Sequence, residues 1–208
     1  MQFISGKYTA IKLGDIMKKI IVFSLILLST YTLFADDAEE VQPKEFTLEQ
    51  SHQIFAVDFF NRTWNFLDMP ERNYEEDETM LNLAHASLLH WSIVGQPINM
   101  QRGEWMVAHV YTILGRKESA LHHAQNCLKI TEKFGFDDFD LAFAYEEYAR
   151  ALALNDDDRW KEYYDLAKGA GELIEEKGDR EYFLQILDEG PWFGKRYKEY
   201  RRTHFITK

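Results

Sequence analysis

The stretch Trp105-Met106-Val107-Ala108-His109-Val110-Tyr111-Thr112-Ile113-Leu114-Gly115-Arg116-Lys117-Glu118-Ser119-Ala120-Leu121-His122-His123-Ala124-Gln125-Asn126-Cys127 decides the fold. Ala108, Ala120, Ala124 and Cys127 are small, Tyr111 is large, and Gly115 breaks the run between them. On two helices joined at Gly115, this spacing sets small side chains where the antiparallel backbones approach closely, with Tyr111 filling the wider gap.

Working outward, Phe46-Thr47-Leu48-Glu49-Gln50 offers an apolar staple residue, a Thr N-cap and a Gln three positions later, which predicts a helix running to Leu67. After Pro70, Glu75, Glu76, Asp77 and Glu78 place four acids in a first turn, and the stripe Met80, Leu81, Ala84, Leu88, Trp91 carries a second helix to Gly95. Asn99 is predicted to cap a third helix ending at Leu114. A fourth should occupy Lys117 to Phe134 and stop at Gly135. Asp137 and Asp138 predict the start of a fifth helix through Leu154. Asp156 to Asp158 predict a sixth that ends before Gly178, and Asp179 a short seventh that ends at Gly190-Pro191. No segment shows the period-two alternation of strands, so the expected class is all-α, with consecutive helices folding as antiparallel hairpins.

The natural pairs are helices one with two, three with four and five with six, with the seventh capping an apolar edge. Superposing Ala108 on Ala149 places Gly115 over Asp156, a shift of 41 residues. The second copy is degraded, because Lys161 and Asp165 stand where Ala120 and Ala124 stood. Its second helix is expected to slide and to use Ala167 and Ala170 instead.

Residues 101–154 resemble a tetratricopeptide-type repeat of the variety with a longer second helix and a period near forty. More broadly, residues 60–187 resemble bacterial tetratricopeptide-like proteins of undescribed activity, through Ala84-His85-Ala86-Ser87, His90-Trp91, Arg102-Gly103-Glu104-Trp105 and Leu114-Gly115-Arg116. The resemblance implies a short solenoid of helical hairpins with a C-terminal capping helix and a binding groove; it implies no cofactor. On helix three it points to Arg102, Trp105, His109 and Thr112 as groove residues, and on helix five to Phe143, Glu146, Arg150 and Ala153. Mixed aromatic and charged groups suit an extended peptide or a partner helix, although Trp105 and Phe143 also fit a core role.

Two features stand outside that pattern. Residues 17–35 read as a secretory signal peptide. Lys18 and Lys19 precede an apolar run from Ile20 to Leu28 that is too short to span a membrane, and cleavage is expected after Ala35. Residues 1–16 read as an over-extended start, with Met17 the expected initiator. The helical domain is then 36–189 and a basic tail 190–208, whose segment from Lys195 holds six basic residues against Glu199, with Tyr197, Tyr200 and Phe205 interleaved. That tail is expected to fold back or to reach a second copy, giving a possible homo-oligomer. Removal of residues 1–35 leaves 20 basic and 34 acidic groups, a net charge of about −14, which excludes a phosphate backbone as an expected partner. Cys127 is the one cysteine of a sequence that holds 15 Phe, 11 Tyr and 5 Trp in all, so an exported chain would rest on packing rather than on an internal disulfide.

Candidate chemistry comes from residues equidistant from the turns. His85 is predicted opposite His109, and His109 opposite His123, with Cys127 one helical turn beyond. Imidazole and thiolate together suit zinc or copper, although Cys127 also fits the repeat's small-residue position. Closer to the first turn, Trp91 is expected near Arg102 and His90 near Glu104, as polar ties between helices or as an acid–base pair. No Gly-rich phosphate loop, GxSxG or paired CxxC accompanies them. The expected function is an exported, periplasmic or secreted, module that binds a protein or peptide. The alternatives are a metal-binding or enzymatic protein using His85, His90, His109 and His123, and a structural self-associating protein. N-terminal sequencing of the precursor and the exported form is expected to give Met17 and Asp36; a precursor beginning at Met1, or an export product retaining residues 17–35, overturns this reading of the leader.

Overall fold

The computed structural model describes residues 45–195, so the leader segment and most of the basic tail lie outside the described residues. Within them the chain forms seven α-helices and no strand: α1 Leu48–Leu67, α2 Tyr74–Val94, α3 Pro97–Ile113, α4 Lys117–Phe134, α5 Asp138–Leu154, α6 Trp160–Glu172 and α7 Lys177–Glu189. None of them is long and apolar enough to cross a membrane.

The helix ends follow from satisfying the free N–H and C=O groups of terminal turns. At α1 the Thr47 hydroxyl accepts from the Gln50 N–H at 3.1 Å, while the Gln50 side chain accepts from the Thr47 N–H at 3.0 Å. Asn73 and Glu76 repeat this reciprocal arrangement at α2. Helix α3 corrects the expectation for Asn99. Gln96 occupies the cap and Pro97 the first helical position, where its missing N–H costs nothing. Asn99 is the third helical residue and accepts from the Gln96 N–H at 2.8 Å. Helix α6 is shorter than expected: the chain leaves it after Glu172 so that Ile174 is buried, and the Arg180 guanidinium donates to the Ile174 carbonyl at 2.5 Å. Helix α7 accordingly starts at Lys177, capped by Glu176, with Asp179 inside its first turn.

Helices α1/α2, α3/α4 and α5/α6 pack most extensively, followed by α2/α3 and α4/α5. The odd-numbered helices also touch in series, α1 with α3, α3 with α5 and α5 with α7. Ala108, Ala120, Ala124, Cys127 and Ala149 are all fully buried at these contacts. The 41-residue correspondence extends to the backbone of the turns. Arg116 N–H donates to the Tyr111 carbonyl and Asp157 N–H to that of Leu152, with Gly115 and Asp156 both left-handed at φ 68° and 60°. Glycine takes that conformation freely; Asp156 takes it at a cost of about 1 kcal/mol and gains contacts from Lys117 and Lys195.

The core has two parts. Met80, Leu81 and Ala84 of α2 meet Met106, Val107 and Val110 of α3, and a larger cluster runs from α3 through α7 to Trp192. Helix α5 is enclosed: from Ala142 to Leu154 every side chain except Tyr145 is buried. Ala167 lies at the α6 packing face, together with Gly171, where an added Cβ would overlap the Phe183 ring of α7. Gly171→Ala is therefore expected to lower stability by about 1–3 kcal/mol in urea unfolding. Gly169→Ala, which meets open space two residues away, is expected to raise it by up to about 1 kcal/mol.

Candidate functional site

Pairs of residues one turn apart share a helix face, and four such pairs meet across the odd-numbered helices. Phe60 and Trp64 come from α1, Gln101 and Trp105 from α3, Phe139 and Phe143 from α5, and Asp179 and Tyr182 from α7. With Arg102 and Asp140 they line a groove of about 470 Å³. Its aromatic wall is continuous. Trp64 and Trp105 stack with centroids 5.8 Å apart, Trp105 meets Phe143 edge-on at 5.6 Å, and Phe143 lies 4.5 Å from Phe139 and 6.4 Å from Tyr182.

Few polar groups interrupt it. Arg102 donates from Nε and Nη2 to the two carboxylate oxygens of Asp140, each at 2.8 Å, and this hydrogen bonding raises the guanidinium pKa further. Gln101 is 1% exposed and donates from Nε2 to the Thr131 hydroxyl and to the Asp140 carbonyl, each at 3.2 Å. A carbonyl only accepts, so the amide nitrogen is fixed on that side and Gln101 Oε1 is left without a partner. Trp105 Nε1 is likewise buried without one. Both atoms are closed off from solvent, so these side chains line the groove without presenting the two groups to it.

Of the residues that the sequence places in a groove, Arg102, Trp105 and Phe143 line it. His109, Thr112, Glu146 and Arg150 instead form a buried polar layer between the helices. His109 Nδ1 lies 2.8 Å from Glu147 Oε2, and the Thr112 hydroxyl donates to Glu147 Oε1 at 2.6 Å. Glu146 pairs with Arg150, whose Nη2 donates to the Ile186 carbonyl of α7 at 2.9 Å and whose guanidinium lies 5.4 Å from the Trp192 ring centroid. Covering by α7 is what removes these charges from the surface, and Ala153 is buried with them. Burial drives the Glu146 carboxyl up to about 7, against the opposing pull of Arg150.

Among the described residues the histidines are divided among three places. His85 Nε2 lies 2.8 Å from the Tyr111 hydroxyl, while His123 Nδ1 lies 2.6 Å from Glu104 Oε2. The two rings are 5.4 Å apart, and Tyr111 stacks on His123. Burial, and then the neighbouring His123, push His85 below its ordinary pKa. His109 is held away from them by Glu147 and stacks on Trp105 at 5.0 Å. Cys127 is buried, which pushes its thiol well up and disfavours the thiolate that a metal needs. His85, His109, His123 and Cys127 therefore do not converge, and among the described residues no three His, Cys, Asp or Glu side chains are placed to hold one metal ion. His90 meets His52, Nδ1 to Nδ1 at 2.7 Å, between Phe55 and Phe59, rather than Glu104. Arg102 is taken by Asp140 rather than by the half-buried Trp91.

Comparison with protein-family models, curated protein sequences and solved structures gives no significant match to this chain.

Sequence reasoning missed the contributions of α1 and α7, although a signal was present. Trp64, Trp105, Phe143 and Tyr182 follow one another at intervals of 41, 38 and 39 residues, and Phe60, Gln101 and Phe139 precede three of them by one turn. Beneath this ladder, the raised carboxyl of Glu146 has a signed consequence. Its folded-state value lies above that of the unfolded chain, so its contribution to stability is present below the ordinary carboxylate range and is lost as pH rises through about 7. Relative to the wild type, Glu146→Gln is expected to gain stability between about pH 5 and about pH 8, read as a pH-dependent difference in urea midpoints.

Proposed function

We propose that this chain is a helical-repeat binding module, a short tetratricopeptide-like stack closed by α7, whose groove takes an extended peptide segment of a protein partner. The observation that carries this reading is the aromatic ladder Trp64, Trp105, Phe143 and Tyr182, one rung from each odd-numbered helix. Packed helices lie about 8–10 Å apart, and an extended chain advances about 3.3–3.6 Å per residue, so one rung corresponds to about three residues of bound peptide. The volume falls in the range of ligand-binding clefts, and the lining has the expected character: largely apolar, with a few placed polar groups.

A groove rather than a catalytic cleft is also what the chemistry of the lining supports. Its carboxylates are Asp140, committed to Arg102, and Asp179, and its remaining members are Gln101 and aromatic rings. The signal-like leader supports binding outside the cytoplasm, and the acidic body favours a protein partner over nucleic acid.

Peptides of twelve random residues displayed on phage and selected on the immobilised protein test the reading. Winners are expected to lose about tenfold or more in affinity against Trp105→Leu and to keep it against Lys168→Ala on α6. A selection whose winners all bind Trp105→Leu as tightly as wild type overturns it.

A further inference from the structure

The groove sets two carboxylates, Asp140 and Asp179, against one cation, Arg102. Arg102 and Asp140 neutralise each other through two hydrogen bonds. Asp179, in the first turn of α7, keeps an exposed carboxylate with no ion pair among the described residues. With it Phe60, Trp64, Phe139 and Tyr182, all at least partly exposed, line the groove. Aromatic faces attract cations through their quadrupoles, and the attraction grows where water is excluded. A guanidinium also brings several N–H donors, from which a free carboxylate can accept.

We propose that the groove selects a cationic side chain, an arginine or lysine of an extended peptide, seated among the aromatic rings with Asp179 as its counter-charge. This rests on the peptide-binding reading above and names what that peptide must carry. The field at the α7 side has the right sign. Burial raises the Tyr182 pKa, and the charges that raise it further, Asp68, Glu146 and Glu189, are all carboxylates. The domain as a whole is strongly acidic, which favours capture of basic segments at low ionic strength. An anionic residue at the same place would meet the Asp179 carboxylate as a like charge, and an apolar one would leave it without a donor.

The test uses three peptides, acetyl-Gly-Val-Xaa-Val-Gly-amide with Xaa arginine, citrulline or norleucine, together with arginine amide alone. They are titrated into the full chain while the indole N–H resonances of Trp64 and Trp105 are followed. Citrulline keeps the shape of arginine and about three of its five N–H donors, replaces the other nitrogen with an oxygen, and removes the charge. The arginine peptide is expected to bind about tenfold more tightly than the citrulline peptide, with the ratio shrinking as salt is raised. Asp179→Asn is expected to abolish most of that ratio, whereas Asp165→Asn on α6 keeps it.

Equal affinities for the arginine, citrulline and norleucine peptides overturn the cation and leave the peptide reading standing. An unchanged ratio in Asp179→Asn overturns the assignment of the counter-charge. Indole shifts with arginine amide but with none of the peptides uphold the cation site and overturn the peptide reading. The absence of any shift with all four probes overturns both.

Discussion

Glu147 is a carboxylate with no exposure, and a buried carboxylate is tolerated only where donors meet it. Two come from α3, the His109 ring and the Thr112 hydroxyl, and both can reach it only when α3 and α5 stand in one register. That register joins residues about 38 positions apart. The same offset brings Arg102 to Asp140 and sets Trp105 against Phe143. A slip of one turn would strand the Glu147 charge, separate the Arg102 pair and break the aromatic wall together. The groove exists because a buried polar layer locks the helices that bear it.

The alanines make that lock possible. Ala108 and Ala149, fully buried on α3 and α5, keep the backbones close enough for short polar side chains to bridge them. Larger side chains there would hold the helices apart, and the 2.6 Å bond from Thr112 would not form. Small residues and buried charges thus act on the same degree of freedom, the separation and offset of neighbouring helices, from opposite directions. One permits the approach and the other requires it.

The all-helical character and the hairpin pairs were legible because they depend on local signals: the Thr47 cap, the Gly135 stop and the spacing of small residues around Gly115. The ends that misled were those decided at a distance. Asn99 reads as a cap until Pro97 is recognised as the first helical residue, and the early end of α6 depends on Ile174 finding a buried site and on Arg180 receiving its carbonyl. Within the site, Arg102, Trp105 and Phe143 could be found by counting from Ala108. Glu146 and Arg150 share the periodicity of exposed groove residues, and only the covering helix α7 distinguishes them. Of the histidines expected together, His85 and His123 meet and His109 does not, for a related reason. Residues at the same height along a hairpin need not face the same way, and Glu147 turns His109 toward α5 while Glu104 holds His123 beside His85.

Helix α1 packs broadly on α2 but touches α3 only slightly, and beyond it among the described residues no further helix gives support. Yet it supplies Phe60 and Trp64, one entire side of the groove. A terminal helix of this kind opens at a lower free energy than the enclosed α5, so fraying of the array removes two of the six aromatic rings of the groove before the rest of the fold is disturbed. Occupancy of the groove and order in α1 are consequently one equilibrium: whatever binds there would slow amide exchange in a helix that makes few other contacts across the array.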